Sequence, residues 1–332
     1  MPHITFIHGI SNKPAKDALA ALWLRALARE NANNKGYDCN EEGVTTSMVY
    51  WADVMYPEPE ADVEQLEAAN EMLEAEREAA PGVNPPDPHW RERLGGAERD
   101  FVESLADRLG ADVPPDVAPP NATTSTPAAV GGAKLSEKER EAVAVLERVP
   151  LPWFIKGPLM KVLLRDVHHY LFNVDYSPRP DSSFRVQDEI RRRFVDAVKE
   201  GATKPGPHIV ISHSMGTVIA YDCLRRVPDC PAVDALMTIG SPLGLDEVQD
   251  KLRPEWSRRD GFPPNVRGRW VNIYDSLDPV AGFDPKFAND YMRGGASAVE
   301  DVNENNWGRW RHSITKYLQG TQLRAHLREL LA

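Results

Sequence analysis

Short apolar segments alternate with helical segments at both ends of this 332-residue chain, and this alternation most constrains its fold. Apolar runs of about 4–8 residues bounded by turn-forming residues are typical of buried strands. The segments between them place apolar residues at helical spacing, as Leu19, Leu22, Trp23 and Leu27 do. Strands that alternate with helices favour a mainly parallel sheet covered on both faces, which is an α/β fold.

The predicted elements of this fold occupy two blocks of the chain. The predicted strands are 3–8, 44–51, 208–212, 233–240 and 269–274, and the predicted helices are 15–32, 183–200, 215–226 and 320–331. Between them the alternation stops. We therefore predict a core formed by residues 1–56 and 182–332, and a helical insertion formed by residues 57–181.

The insertion differs from the core in composition. Its predicted helices are 58–78, 98–109, 135–148 and about 156–172. Residues 111–133 are rich in Pro, Ala, Thr and Gly and nearly devoid of large apolar side chains, so they predict a flexible loop. We expect the insertion to lie where it caps an active site.

Charge and cysteine content narrow the class of protein. The formal net charge of −11 disfavours binding to a nucleic-acid backbone, so we expect no nucleic-acid partner. The cysteines Cys39, Cys223 and Cys230 are odd in number and lack CxxC spacing, which predicts a reducing compartment without disulfides or a zinc site. No signal-peptide pattern and no apolar run of about 18 residues is visible, so we expect a soluble cytoplasmic protein.

The most informative motif is Ser212-His213-Ser214-Met215-Gly216, which follows a predicted buried strand and opens a predicted helix. A serine on a sharp strand-to-helix turn is held at the carboxyl end of the sheet, beside the helix N-terminus and the next backbone N–H. Small residues two positions before and after the serine allow strand and helix to approach closely. Here these residues are Ser212 and Gly216.

This motif resembles the nucleophile elbow of the α/β-hydrolase superfamily, and within it the lipase- and esterase-like serine hydrolases. Ser212 stands where glycine is usual. The resemblance covers residues 1–56 and 182–332. It implies the α/β-hydrolase fold, with the helical insertion as a cap or lid, and Ser214 as the nucleophile.

The N-terminal segment Phe6-Ile7-His8-Gly9-Ile10 is similar to the His-Gly segment that ends an early strand in many lipases. A tetrahedral intermediate needs two preorganised N–H donors. The resemblance implies that Ile10 and Met215 supply them. It gives His8 and Gly9 a supporting role in the oxyanion loop, and His213 and Gly216 a supporting role beside the nucleophile.

The same resemblance sets the chain order of the triad as serine, acid and histidine. Only His312 and His326 follow Ser214 among the nine histidines. His326 lies on the apolar face of the last predicted helix, which predicts a packed core residue. His312 lies in a predicted loop, so we expect it to be the general base.

Two carboxylates compete for the position of the acid. Asp275 and Asp278 both follow the predicted strand 269–274, and Asp278-Pro279-Val280 resembles the acid segment of the superfamily. We favour Asp278 and expect Asp275 to cap the turn. Ser241 is expected to shape the pocket wall.

These residues predict a serine ester hydrolase that works through an acyl-enzyme, without a metal or organic cofactor. HExxH, Walker A and GxGxxG motifs are absent from the sequence. The resemblance suggests carboxylic esters, with lipids as natural substrates and a place in lipid metabolism. Amide or thioester cleavage by the same triad, and a non-catalytic protein that recruits a partner, remain alternatives.

The insertion leaves two interpretations open. Its residues Trp153, Phe154, Leu159 and Leu163 form either a mobile apolar lid that touches lipid or a membrane surface, or a fixed helical cap packed on the core. The oligomeric state is left open by the sequence.

Overall fold

A computed structural model shows the fold of the chain. It describes residues 1–31, 34–60, 94–108, 164–252, 260–281, 284–307 and 311–332. The strands in this part are β1 (His3–Ile7), β2 (Thr45–Val49), β3 (Asp175–Arg179), β4 (Ser182–Arg185), β5 (His208–His213), β6 (Ala235–Ile239), β7 (Trp270–Tyr274), β8 (Met292–Arg293), β9 (Ala296–Ser297) and β10 (Val299–Asn303). The helices are α1 (Lys16–Ala28), α2 (Ala52–Met55), α3 (Gly96–Arg108), α4 (164–171), α5 (Val186–Ala202), α6 (Met215–Arg226), α7 (Asp246–Lys251), α8 (Ile314–Leu318) and α9 (Thr321–Leu331).

Six strands form one parallel sheet in the order β2-β1-β5-β6-β7-β10. All five residues of β1, all six of β5 and all five of β6 are buried, as expected for strands covered on both faces. The predicted α/β class, with a mainly parallel sheet and helices around it, is confirmed.

Each face of the sheet packs against its own apolar core. Alternate residues of a strand point to opposite faces, so Val210 joins one core while Ile209 and Ile211 join the other. Helices α4, α5 and α6 contribute to the first core. Helices α1, α8 and α9 contribute to the second core.

The connections between strands change direction at β1 and β5. These two strands are hydrogen-bonded neighbours, with Ile7 opposite Ser212. The chain leaves β1 toward β2 on one side and leaves β5 toward β6 on the other side. In an open parallel sheet, such a reversal separates the two connections and leaves room for a ligand between them.

The structure also departs from the predicted elements. The predicted helix 15–32 ends at Ala28, because the chain turns back and Tyr37 N–H donates to Leu27 O at 2.8 Å. The buried guanidinium of Arg324 then takes the carbonyls of Ala26 and Arg29. These tertiary partners satisfy the last carbonyls of the helix.

Besides the short hairpin of β8 and β9, two longer strand-forming regions were not predicted. Strand β10 has the polar sequence VEDVN and lies at the edge of the sheet, with only its first residue fully buried. The antiparallel hairpin of β3 and β4 is half-exposed and crosses the predicted boundary at residue 182. Neither region needs a continuous apolar run, because neither is covered on both faces.

Part of the predicted insertion lies outside the described residues. This applies to the flexible loop 111–133, the helix 135–148, the helix 58–78 apart from its first three residues, and the lid residues Trp153, Phe154, Leu159 and Leu163. The described helices α3 and α4 coincide with parts of the predicted helices 98–109 and 156–172. Across the described residues, the helices are too short or too polar to span a bilayer.

Candidate active site

Ser214 lies at the junction of β5 and α6, where the sequence predicts a sharp turn. Its backbone has φ 54° and ψ −131°, and α6 begins at the next residue, Met215. A positive φ is strained for a residue with a Cβ atom, and such strain is retained mainly at functional sites. The backbone N–H of Ser214 donates to Ile239 O at 2.9 Å, which fixes the turn against the end of β6.

The small residues that flank the turn are tightly packed. A Cβ atom on Gly216 would lie 2.6 Å from His8 O and 2.8 Å from Ile7 O, so only glycine fits between the helix and β1. Ser212 is fully buried, and its hydroxyl donates to Met237 O at 3.1 Å. A serine therefore fits the leading position because the neighbouring strand supplies an acceptor.

Gly9 brings the N-terminal loop against the serine. A Cβ atom at this position would lie 2.5 Å from Ser214 Cβ and 3.0 Å from Ser214 Oγ. Any side chain larger than hydrogen would therefore displace either the loop or the serine. Ile10, the predicted oxyanion donor, directly follows this glycine.

His312 contacts the carboxylate of Asp278. Its Nδ1 lies 2.9 Å from both Asp278 oxygens, and both side chains are buried. Asp278 also accepts the N–H groups of Val280 at 2.8 Å and Ala281 at 3.2 Å, and the hydroxyl of Tyr317 at 2.8 Å. This shell of donors stabilises the ionised carboxylate in a dry site.

The electrostatics of Asp278 follow from this shell. Burial by itself raises the pKa of Asp278, but the charge and hydrogen bond of His312 oppose it. The N–H of Val280 and the hydroxyl of Tyr317 add to that opposition, so the pKa lies below its usual value. Asp278 is therefore an anion at neutral pH, and it can stabilise a protonated imidazole.

Gly240 joins the His–Asp pair to the serine turn. It has φ 53°, and a Cβ atom there would lie 2.9 Å from Asp278 Oδ2 and 3.1 Å from His312 Nδ1. The preceding residue is Ile239, whose carbonyl accepts the N–H of Ser214. Ser214, Asp278 and His312 therefore lie together at the carboxyl end of the sheet, although they are far apart in the chain.

His213 adds a second link between the serine turn and His312. The two imidazole rings have centroids 4.7 Å apart, and His213 Nε2 donates to His312 O at 3.0 Å. Burial lowers the pKa of His213 well below its usual value, and the neighbouring His312 and Lys13 lower it further. His213 is therefore neutral, and it holds the loop that carries His312.

The Ser214 hydroxyl is buried, and within the described part of the chain it has no hydrogen-bond partner. A buried hydroxyl without a partner costs about 1–3 kcal/mol. Such a group is retained where it serves a reaction or a ligand.

The loop that follows β1, where the sequence predicts an oxyanion donor, is organised by His8. Trp51 N–H donates to His8 Nε2 at 3.0 Å, so the ring proton lies on Nδ1, which donates to Gly9 O at 2.8 Å. Burial lowers the pKa of His8 well below its usual value, and the charge of Lys13 lowers it further. The Gly9 carbonyl belongs to the same peptide unit as the Ile10 N–H, so a neutral His8 orients the donor that the sequence assigns to the oxyanion.

Two further side chains hold this loop, and the sequence did not single them out. Lys13 Nζ donates to the carbonyl of Ile10, and to those of Ser11 and Asn12 at 3.3 Å. Asp166 accepts the N–H of Ser11 at 3.1 Å. Asp166 lies in the helix predicted over 156–172, which also carries lysine, arginine and histidine residues, so no local sequence signal singles it out.

Asp275, the alternative acid, has other partners. It accepts the N–H of Leu277 at 2.7 Å, which caps the turn, and the N–H of Asn306 at 2.7 Å. It also pairs with Arg311 Nη1 at 3.1 Å. Asp275 therefore shapes the loop before His312, whereas Asp278 contacts the imidazole itself.

The remaining polar candidates have structural contacts. The Ser241 hydroxyl accepts the N–H of Leu243 at 3.1 Å and lies 2.7 Å from Thr217 Oγ1. His326 was expected in the core, but it is half-buried, because Leu323 and Leu327 occupy the inner face of α9. Its Nδ1 lies 2.8 Å from Gln322 O.

The sequence was compared with protein-family models and with curated proteins. No protein-family model matches the chain, and no curated protein matches it. Within the described ranges, no group of three or more His, Cys, Asp or Glu side chains is arranged to hold a metal ion.

Proposed function

We propose that this protein is a serine hydrolase that cleaves carboxylic esters through an acyl-enzyme. Ser214 is the nucleophile, His312 is the general base, and Asp278 is the carboxylate of the triad. One observation carries the proposal: the imidazole of His312, paired with the buried carboxylate of Asp278, lies at the same end of the sheet as the strained, buried Ser214. The chain order of serine, acid and histidine is that of the α/β-hydrolase fold, which we propose for this sheet and for its insertion as a cap.

The reaction begins with proton transfer from Ser214 Oγ to His312 Nε2. The oxygen attacks the ester carbonyl, and the carbonyl electron pair moves onto its oxygen to form a tetrahedral oxyanion. Asp278 stabilises the imidazolium that forms, and holds the imidazole through Nδ1. The contact between Asp278 and His312 Nδ1 thus both selects the tautomer of the imidazole and balances the positive charge that the imidazole acquires.

The oxyanion is stabilised by the backbone N–H groups of Ile10 and Met215. Met215 is the first residue of α6, so its N–H lies at the positive end of the helix dipole. Ile10 is supported by the bond from His8 to the Gly9 carbonyl. Because both donors are fixed before the substrate binds, they require little reorganisation during the reaction.

Release of the alcohol and then of the acid returns the enzyme to its starting state. When the tetrahedral intermediate collapses, the C–O bond to the alcohol breaks, and His312 donates its proton to the leaving oxygen. Water then attacks the acyl carbonyl with His312 as base, which forms a second tetrahedral intermediate. When this intermediate collapses, the bond to Ser214 Oγ breaks, His312 returns the proton to that oxygen, and the acid product leaves. No additional oxidant, reductant or group donor is needed.

A direct test combines a covalent probe with an ester panel. We expect a fluorophosphonate to label wild-type protein at Ser214, and Ser214→Ala to lose both labelling and ester turnover, by at least about 10³-fold. Ser241→Ala is the matched control, because it removes a buried serine hydroxyl near the same strand edge. Labelling that persists in Ser214→Ala, or a wild type that neither reacts nor hydrolyses any ester, contradicts the proposal.

A further inference from the structure

Thr217 binds the peptide unit that carries one of the proposed oxyanion donors. The carbonyl of Ser214 and the N–H of Met215 belong to the same peptide unit, at the start of α6. This carbonyl accepts the N–H of Thr217 at 2.9 Å and the Thr217 hydroxyl at 2.6 Å. Two donors from one residue therefore hold the oxygen of the peptide whose N–H we assign to the oxyanion.

The hydroxyl of Thr217 is itself part of a chain of hydrogen bonds. It lies 2.7 Å from Ser241 Oγ, which accepts the N–H of Leu243 at 3.1 Å. A hydroxyl has only one proton, and Thr217 uses its proton on the Ser214 carbonyl, so the Ser241 hydroxyl donates to Thr217. The chain thus runs from the Leu243 N–H through both hydroxyls to the serine turn, with all its protons pointing in the same direction.

This chain is shielded from solvent. Thr217 is 0% exposed, and Ser214 and Ser241 are each 1% exposed. In a buried chain, hydrogen bonds polarise one another, so each bond strengthens the next. Donors on a peptide carbonyl draw electron density toward the oxygen, and the N–H of the same peptide becomes a better donor. The chain therefore acts on the Met215 N–H through the peptide unit.

The same contacts fix the direction of the Met215 N–H. Because a peptide unit is planar, donors that hold its carbonyl also orient the N–H on its opposite side. The backbone of Ser214 has φ 54°, which is strained for a residue with a Cβ atom, so neighbouring groups must hold the turn in place. Thr217 supplies this restraint from the first turn of α6.

The other proposed donor, the Ile10 N–H, has a parallel arrangement. His8 Nδ1 lies 2.8 Å from the carbonyl of Gly9, which belongs to the same peptide unit as the Ile10 N–H. Both peptide units thus have a buried side-chain donor on their carbonyl, although they lie on different elements of the fold. This shared arrangement favours a role in the reaction over the local bond that threonine often makes to a carbonyl of its own helix.

We propose that Thr217 is a positioning residue for ester hydrolysis, whose hydroxyl orients and strengthens the Met215 N–H as an oxyanion donor. This inference rests on the proposed hydrolase function, and it extends that function to a side chain that does not touch the reacting atoms. Ser241 acts only on the direction of the Thr217 proton, and its removal leaves the bond from Thr217 to Ser214 in place. The benefit of Thr217 is expected in the transition state, where the oxyanion forms, and not in the complex with the ester.

The test compares an ester with a trifluoromethyl ketone that has the same acyl chain. Ser214 Oγ adds to the ketone carbon, its proton passes to His312, and the carbonyl electron pair moves onto the oxygen, so the bound ketone carries the oxyanion charge. In Thr217→Val we expect kcat and the affinity for the ketone each to fall about tenfold, with KM for the ester within about twofold of wild type. Thr217→Ser retains the hydroxyl, so both quantities should stay within about threefold of wild type.

The matched control is Thr5→Val. Thr5 is also a fully buried threonine, but its hydroxyl lies 2.9 Å from His208 Nε2 and 3.2 Å from Ser47 Oγ, within the sheet. We expect this variant to keep the wild-type kcat and ketone affinity. An equal loss in Thr5→Val, or a loss in Thr217→Ser as large as that in Thr217→Val, overturns the inference, because packing and not the hydroxyl would then be responsible.

The two proposals fail in different ways. If ester hydrolysis depends on Ser214 but Thr217→Val keeps the wild-type kcat and ketone affinity, the inference is overturned and the hydrolase function stands. Thr217→Ala removes the same hydroxyl and decides the question in the same way where Thr217→Val does not fold. If wild-type protein neither hydrolyses esters nor binds the ketone, the hydrolase proposal itself is overturned.

Discussion

The two ends of the central sheet both hold buried histidines and serines, yet they differ in what those side chains contact. At the amino end, His3 Nε2 lies 3.0 Å from Ser47 Oγ, and His3 Nδ1 lies 2.8 Å from Thr45 Oγ1. His208 Nε2 lies 2.9 Å from Thr5 Oγ1. The amino end thus has a serine–histidine contact in which both ring nitrogens of His3 face hydroxyl groups.

The carboxyl end has the features that the amino end lacks. His312 contacts the buried carboxylate of Asp278, and Ser214 is held in a strained turn, whereas Ser47 lies within a regular strand. A serine–histidine contact by itself therefore identifies nothing. The carboxylate and the strained serine turn distinguish a candidate active site from a polar patch that connects strands.

The largest difference between the ends is expected from Asp278→Asn. The amide cannot stabilise an imidazolium and favours the wrong tautomer, so kcat for ester hydrolysis should fall by about 10³–10⁴-fold. Steady-state kinetics on a soluble ester measure this fall. Asp275→Asn is the matched control, because Asp275 contacts Arg311 instead of the imidazole. The comparison fails if the two variants lose equal activity.

At the amino end we expect an effect of pH on stability. Burial lowers the pKa of His208 to about 4, and the charge of His3 contributes to this shift. An unfolded histidine has a pKa near 6.5, so between about pH 6.5 and 4 the unfolded state binds a proton that the folded state does not. The free energy of unfolding should therefore fall with decreasing pH in this window, by up to about 1.4 kcal/mol per pH unit.

Urea unfolding of wild type and His208→Gln at several pH values from 7 to 5 measures this effect. Glutamine retains hydrogen-bonding groups but does not titrate, so the variant should show a shallower decrease in stability than wild type. Equal slopes for the two proteins would show that His208 is not responsible for the pH dependence.

The smallest effect is expected from Ser47→Ala. It removes the hydroxyl that lies 3.0 Å from His3 Nε2 and 3.2 Å from Thr5 Oγ1, so the free energy of unfolding should fall by about 0.5–1.5 kcal/mol. Ester turnover should stay at the wild-type level. Both quantities are measured on the same preparation, and a tenfold loss of turnover would place function at the amino end.

Much of the central sheet could be predicted because its strands are covered on both faces. Continuous apolar runs such as those of β1 and β5 have few other stable positions in a folded chain. Strand β10 and the hairpin of β3 and β4 are half-exposed and carry polar residues, so their pattern resembles that of loops. Their pairing depends on neighbouring strands, which a local pattern does not contain.

The candidate site divides in the same way. The residues Ser214, Gly216, His8 and Gly9 lie in short motifs whose spacing is itself the signal. Tyr317 donates to Asp278 at 2.8 Å from a helix 39 positions away along the chain, and no motif joins these two residues. Asp166 is separated from Ser11 by 155 positions, and it was missed for the same reason.

The sequence by itself determined the α/β alternation, the residue types of the serine turn and the order in which serine, aspartate and histidine occur. These are local properties, fixed by backbone sterics and by the burial of apolar runs. Only the tertiary structure decided that Asp278 contacts His312 while Asp275 contacts Arg311, and that Asp166 holds the loop after β1 through the N–H of Ser11. Contacts between distant segments depend on strand register and helix packing, which many residues set together.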